Sequence, residues 1–371
     1  MRRIARALAH LRGFLGDITL FGERGILVIE KYNFNLGRFL LFGLAHPRAF
    51  GAILVLGGRE STIEVSDRCN LSCEGCHYFE DGSYSARQGS SLQRYARFFE
   101  ARAGEFRTLH VGGAEPALEL DKVRLISQSV CNCIIYTNGV VRIPADIKSK
   151  IHVSVWGIDD EKTRGADVLA EVIQNYRGDP RAVFVVTVSG ANLAGLEALV
   201  DRLVREDLQV SFNHYSPTRR LTELLSAGER TEHIRFSSAQ DNLILTARQL
   251  EQSRRIIGRL LRRHPHNIIY TAELNEWIHR PEGAVDYDER GEAFCCTNRG
   301  GRPGITYRAF TADLEDKPGK CCFSDMPCEA CRLYAVAWPN FLMHYTNHIG
   351  SVKEMREFTA NLATYARLCR L

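Results

Sequence analysis

The sequence predicts an α/β fold: a partial (β/α)6 TIM-like barrel with a helical N-terminal extension and a small Cys-rich C-terminal extension. Three observations predict it. Short β-branched runs recur from residue 60 to residue 215, helical stretches such as 92–103 and 193–205 separate several of them, and the residues just past each run are polar, glycine-bearing or aromatic. Alternating strand and helix signals mean βαβ units and a parallel sheet, and chemistry in such barrels gathers at the C-terminal strand ends. The expected boundaries are an extension over 1–59, a barrel over 60–290, a Cys-rich region over 291–335 and a C-terminal helix over 336–371.

At 371 residues, 45% hydrophobic and 25% charged, the chain has ordinary globular composition. Its 48 Lys and Arg against 44 Asp and Glu leave +4, too weak a surplus to argue for a nucleic-acid partner. Twelve cysteines are the unusual count. The opening MRRIARALAHLRGFLG is interrupted by Arg and His every few residues, unlike the apolar run of a secretory signal, so a cytoplasmic location is expected. Thiols there serve as metal ligands or buried side chains rather than disulfides.

In chain order, Ile4, Leu8, Leu11 and Leu15 fall at helical spacing with Arg2, Arg3, Arg6 and Arg12 largely elsewhere. This is a basic amphipathic helix, docked on its own protein or on a membrane surface. An apolar stretch from Phe39 to Leu56 is split by His46-Pro47-Arg48 into halves shorter than the roughly 20 residues a membrane span needs. It reads as two short helices over 36–45 and 47–56, whose apolar faces must cover something. Six strand runs follow at 61–66, 108–111, 133–137, 151–155, 183–188 and 209–212. Past them lie a cysteine cluster, Gly112-Gly113-Ala114-Glu115-Pro116, Asn138-Gly139, Trp156-Gly157, Ser189-Gly190 and Asn213-His214-Tyr215. These are the candidate site residues.

The loop after the first run reads DRCNLSCEGCHYF, a Cys69-x3-Cys73-x2-Cys76 spacing that can close on one metal centre. Three thiolates on a four-iron cluster leave one iron without a protein ligand, an open position of the kind catalysis needs. A structural zinc with His77 as fourth ligand, or inert buried thiols, are the competing readings.

The cysteine loop, followed after the second strand by the Gly-rich Glu-Pro segment, resembles the radical S-adenosylmethionine (radical SAM) superfamily over roughly residues 60 to 215. The resemblance implies a [4Fe–4S] cluster on Cys69, Cys73 and Cys76, with the amino and carboxylate groups of S-adenosylmethionine (SAM) on the fourth iron. It implies a SAM amino-group site at Gly112, Gly113, Ala114 and Glu115; glycine lets the backbone approach a ligand closely, and Glu115 can accept from an ammonium. Two departures stand out: Ala114 replaces a usual glycine, and Gly75 replaces the aromatic that often precedes the third cysteine, leaving Tyr78 or Phe79 to pack near adenine. Ser154 resembles the polar residue that reaches the SAM ribose, while Asn192 reads equally as a helix cap.

Distal cysteines form the knots Cys295-Cys296, Cys321-Cys322 and Cys328-x2-Cys331 among turn residues. This resembles the shortened Twitch/SPASM auxiliary-cluster extensions of radical SAM enzymes, which implies a second iron–sulfur cluster on Cys328, Cys331 and one thiol of each pair, Cys296 or Cys295 and Cys322 or Cys321. A structural zinc is the alternative. Cys131, Cys133 and Cys369 lack metal spacing and read as packing residues. Asn213, His214, Tyr215 and Trp156 are candidates to line a substrate pocket, His214 and Tyr215 also to act in catalysis. The segment 275–279 reads either as a cover over the barrel mouth or as a plain helix end.

The expected function is therefore that of a radical SAM enzyme. As the resemblance implies, reductive cleavage of SAM yields a 5′-deoxyadenosyl radical that takes hydrogen from a small-molecule substrate. A flavodoxin or ferredoxin is the expected electron donor. A peptide or lipid substrate is the alternative within the enzyme class, the lipid suggested by peripheral membrane contact through 1–59. A non-catalytic zinc or iron–sulfur scaffold is the alternative outside it.

Overall fold

The computed structural model describes residues 29, 35–56, 60–79, 89–102, 104–106, 108–287, 289, 291, 293–294, 308–316, 326–346 and 350–370. The expected N-terminal helix over Ile4–Leu15, and Cys295, Cys296, Cys321 and Cys322, lie outside them. Among the described residues no helix is long and apolar enough to cross a membrane.

Seven parallel strands form one curved sheet in the order β6-β5-β4-β3-β2-β1-β9. They are β1 (Glu60–Glu64), β2 (Thr108–Gly112), β3 (Asn132–Thr137), β4 (Lys150–Val155), β5 (Ala182–Val188), β6 (Val210–His214) and, far along the chain, β9 (Arg308–Phe310). A two-stranded antiparallel ribbon, β7 (Asp286–Tyr287) with β8 (Ala293–Phe294), stands apart. The six expected strands are present, with ends shifted by one or two residues. The seventh is a difference: Arg308-Ala309-Phe310 pairs in parallel with Ser61–Ile63. Three residues without β-branching leave no strand signal; what holds them is Phe310, buried edge-on against Phe98 and Phe106.

Register fixes which side chains face the lumen. Thr62 pairs with His110, Tyr136 with His152, Ser154 with Val185, and Thr187 with Asn213, and all eight line one cavity. Their neighbours Ile63, Val111, Ile135, Val153, Val186 and Phe212 face the other way and are fully buried, as the period of two requires. The outer layer consists of α3 (Leu92–Ala101), α4 (Leu120–Ser129), α6 (Leu169–Tyr176), α7 (Leu196–Arg205) and α9 (Ala247–Arg263); the short α5 (Asp160–Arg164) precedes α6, α8 (Arg219–Ala227) follows β6, and α10 (Ala272–Ile278) follows α9. Leu196, Leu199, Val200 and Leu203 of α7 show the i, i+3, i+4, i+7 stripe that buries such a helix. Residues 193–195, expected within that helix, form a 3-10 turn ahead of it.

The N-terminal pair forms as expected, α1 (Leu36–Ala45) and α2 (Pro47–Leu56), separated at His46. Two helices rather than one occupy the C-terminal stretch, α11 (Tyr334–Thr346) and α12 (Val352–Cys369). They close the barrel at the lower ends of the strands: His152 on β4 donates from Nε2 to the Leu368 carbonyl at 2.8 Å and accepts at Nδ1 from Tyr334 Oη at 2.5 Å. The segment 275–279 does not cover the mouth. It packs on α9, where Asn275 Nδ2 donates to the Arg254 carbonyl and Trp277 is buried.

Three histidines are buried without charge. Burial pushes His152 down to about 3 and His279 to about 4, and lowers His214 well below its usual value. An unfolded chain titrates them near 6.5, so below that pH it binds protons that the folded chain refuses, and stability falls as pH drops toward 4. Each group contributes up to about 1.4 kcal/mol per pH unit in that window and nothing above it. We expect urea-unfolding midpoints to fall progressively below pH 6.5, and His279→Gln to flatten that dependence by about one proton. Identical slopes in the two proteins would contradict this account of His279.

Candidate functional site

The cysteine loop carries no regular secondary structure, so its path depends on contacts from other elements. At its start, Val65 N donates to the Gly112 carbonyl at 3.1 Å and Ala114 N to the Ser66 carbonyl at 2.8 Å. Gly113 sits between them at φ 123°, where a Cβ would lie 2.7 Å from Ser66 O, so only glycine fits the stitch. In the middle, the Glu74 carboxylate is fully buried and accepts the backbone N–H groups of Arg235, Phe236 and Ser237 at 2.9–3.3 Å. Gly75 then turns at φ 61°, its N–H on the His233 carbonyl at 2.7 Å and its carbonyl accepting from Tyr215 Oη at 2.9 Å. A Cβ there would fall 2.2 Å from that hydroxyl, which is the physical reason glycine replaces the expected aromatic.

These contacts bring Cys69, Cys73 and Cys76 to one cavity of about 340 Å³. Gly112, Gly113, Ala114, Glu115, Asn138, Ser154, Trp156, Arg164 and Tyr215 share its wall. Burial pushes the Cys69 thiol up to about 11. The Cys73 thiol is likewise raised by burial, while the Arg164 guanidinium that bonds it pulls the other way. Metal binding removes such protons outright, so the raised values belong to the free thiols.

Glu115 is the anchor of the second strand end. Its Oε1 accepts from Ala117 N at 2.8 Å and Thr137 Oγ1 at 2.7 Å, and its Oε2 from Asn138 N at 2.7 Å. Burial raises its carboxyl, and these three donors oppose that shift. Most of its accepting capacity is thus committed to tying the end of β2 to the end of β3, which leaves little for a ligand ammonium. Arg164 was not legible in the sequence. It is fully buried at the end of α5, donating to the Ser154 carbonyl at 3.0 Å and the Asn138 carbonyl at 3.0 Å. Its counterion Asp160, 3.8 Å away, is pushed up to about 6 by burial.

Other expected residues take definite places. Tyr78 lies on the cavity wall with its hydroxyl accepting from Gly113 N at 3.3 Å. Ser154 faces the lumen and accepts from Trp156 Nε1 at 3.1 Å. Asn192 neither caps its helix nor faces the cavity; its side chain ties Ser189 N to the Thr187 and Trp156 carbonyls. One expectation needs correction. His214 does not face the cavity: β6 runs two residues beyond Phe212, so Asn213 points in and His214 points out, buried against His279 Nε2 at 3.1 Å. Tyr215 does line the cavity, but its hydroxyl donates to Gly75 O, which makes it a positioning residue for the cysteine loop.

Of the distal cysteines, Cys328 and Cys331 lie in one tight turn, Cys331 N donating to the Cys328 carbonyl at 3.2 Å. They join Val285, Met326 and Val336 in a small apolar cluster separate from the main core. The chain around this turn, Met326 and Leu333 to Val336, closes the open side of the sheet and lines the cavity; there Tyr334 N donates to Asn213 Oδ1 at 3.1 Å. Cys133 and Cys369 are buried as expected, whereas Cys131 is exposed.

Compared with known proteins, the chain matches no family model and no curated sequence. Solved structures give fold likenesses. Streptococcus suis SuiB bound to S-adenosylmethionine is 15% identical, with 71% of this chain and 60% of that chain covered and a TM-score of 0.49. Native anSMEcpe with bound AdoMet is 15% identical, covering 84% and 88%, also at 0.49. HydG, a maturase of the [FeFe]-hydrogenase, is 11% identical, covering 65% and 60%, at 0.35. The chain thus spans 60% of the length of SuiB. Likenesses of this size leave the chemistry to this chain's own residues.

Removing the Glu115 carboxylate leaves three buried donors without an acceptor. We expect Glu115→Ala to lower unfolding stability by about 2–4 kcal/mol, and Glu115→Gln, which sets an amide N–H against one of those donors, by about 1–3 kcal/mol, measured by denaturant titration. Stability unchanged in both variants would contradict the anchoring role.

Proposed function

We propose that this chain is a radical SAM enzyme. The observation that carries the reading is that Cys69, Cys73 and Cys76, spaced x3 and x2 on one loop, line the same cavity as the Gly112–Glu115 turn, although among the described residues no three such side chains are yet close enough to close on a metal. Three soft thiolates, with the Arg164 guanidinium beside Cys73 to offset charge, suit an iron–sulfur cluster. A closed structural zinc with His77, which shares the wall, would leave a ligand-sized lumen without purpose.

Cys69, Cys73 and Cys76 would hold a [4Fe–4S] cluster with one iron left for the amino and carboxylate groups of SAM. When bound, such a cluster would supply one-electron reducing chemistry toward SAM, the source of a 5′-deoxyadenosyl radical that would abstract hydrogen from the substrate. The remaining work belongs to the protein. Arg164 would offer a buried cation near the SAM carboxylate, and the Gly112–Ala114 turn would lie by its ammonium, all of them on the cavity wall. Ser154, oriented by Trp156, reaches the ribose. Tyr215 and Glu74 keep the loop rigid, and the enclosed lumen excludes water from the radical.

Below the cysteines the wall carries hydrogen-bonding side chains, Thr62, His110, Tyr136, His152, Thr187 and Asn213, beside the apolar Val185, with the His152 ring held neutral by burial. It suits a neutral moiety bearing hydrogen-bonding groups, a small molecule first and a peptide side chain or lipid headgroup second. Cys328 and Cys331, with Cys296 and Cys322, would hold a second iron–sulfur cluster. A flavodoxin or ferredoxin would deliver the electron.

After anaerobic reconstitution with iron and sulfide, dithionite and SAM should yield 5′-deoxyadenosine, and Cys73→Ala should reduce that yield to background. Zinc in the as-isolated protein together with no SAM cleavage would overturn the proposal in favour of a scaffold.

A further inference from the structure

Helix α1 has two apolar faces, and the fold uses only one. Phe39 and Phe42 turn inward, Phe39 against Phe50 at 4.9 Å and Phe42 edge-on to Phe358 of α12 at 5.3 Å. On the other side Leu36, Leu40, Leu41 and Leu44 are 60%, 55%, 59% and 84% exposed. At roughly 3.6 residues per turn the four fall within an arc of about 140°. They make up half of the large exposed hydrophobic side chains among the described residues, gathered on a single helix. Scattered exposed leucines need no explanation; a contiguous ridge does.

The charge carried by α1 and α2 themselves has one sign. No Asp or Glu occurs from Leu36 to Leu56, and Arg38 and Arg48 are exposed there. Residues 1–59 hold nine Lys and Arg against three Asp and Glu, whereas the whole chain holds 48 against 44, so the remainder is slightly acidic. The basic surplus is therefore concentrated in the segment that bears the leucine ridge.

We propose that the outward face of α1 docks on an anionic lipid bilayer. The helix lies in the plane of the interface, with Leu36, Leu40, Leu41 and Leu44 among the upper acyl segments and Arg38 and Arg48 at the phosphates. A protein partner fits less well. Leu44 is 84% exposed, and no acidic side chain on α1 or α2 supplies the mixed polar rim of a protein interface. Apolar insertion and phosphate attraction together provide the two signals that stable but reversible attachment requires. This inference does not depend on the chemistry proposed above.

The test uses the full chain with sedimenting vesicles, one set of phosphatidylcholine alone and one enriched in phosphatidylglycerol. The protein should bind the anionic vesicles at low salt and bind neutral vesicles, or anionic vesicles at high salt, about tenfold more weakly or less. Leu40→Ser with Leu44→Ser should lower the partition coefficient about tenfold or more without moving the thermal unfolding midpoint. Arg38→Gln with Arg48→Gln should weaken only the anionic binding, and this pair decides the matter if the leucine variant fails to fold. Wild-type protein that ignores anionic vesicles, variants that bind as well as wild type, or a leucine-dependent self-association in solution without vesicle binding would each overturn the proposal.

Discussion

Glu74 holds the reactive loop in place. It lies between the second and third thiols of a segment that has no helix or strand to support it, and its carboxylate is wholly buried. An unpaired carboxylate at that depth would be strongly unfavourable. The backbone N–H groups of residues 235–237 make it tolerable, because charge-assisted bonds to a buried anion are about twice as strong as neutral ones. The consequence runs outward: with Glu74 fixed, Gly75 can take its left-handed turn, Tyr215 can reach its carbonyl, and Cys69, Cys73 and Cys76 all line one cavity.

The barrel beneath serves the same end by register. In a closed barrel of this class the interior is filled by branched aliphatic side chains. Here all but one of the inward positions are threonine, histidine, tyrosine, serine or asparagine, the exception being Val185, and the other aliphatic residues pack outward under the helices. The open edge between β9 and β6 is sealed by residues 331–336, so the sheet encloses a polar lumen without an eighth strand.

Much of this was legible in the sequence because it is local. β-branched runs marked six strands, Pro47 marked the break between α1 and α2, and the cysteine spacing marked the loop. What was not legible depends on distance or parity. Glu74 is bonded to residues 161–163 positions away, and Arg164 bridges two strand ends 10 and 26 positions away. His214 was misread because nearness to a strand end does not say whether a side chain points in or out; the strand continued two residues further than its β-branched run, and that reversed the inference. β9 is too short to carry a pattern at all. Apolar composition likewise revealed α1 but not that half of its surface would remain uncovered.

The proposed function places on Cys69, Cys73 and Cys76 a four-iron cluster with one iron that no side chain would reach. Mössbauer spectra of protein reconstituted without air, recorded before and after SAM is added, address that iron directly. The account predicts one distinct iron site whose parameters change when SAM binds. A fully protein-ligated centre with spectra indifferent to SAM would contradict it.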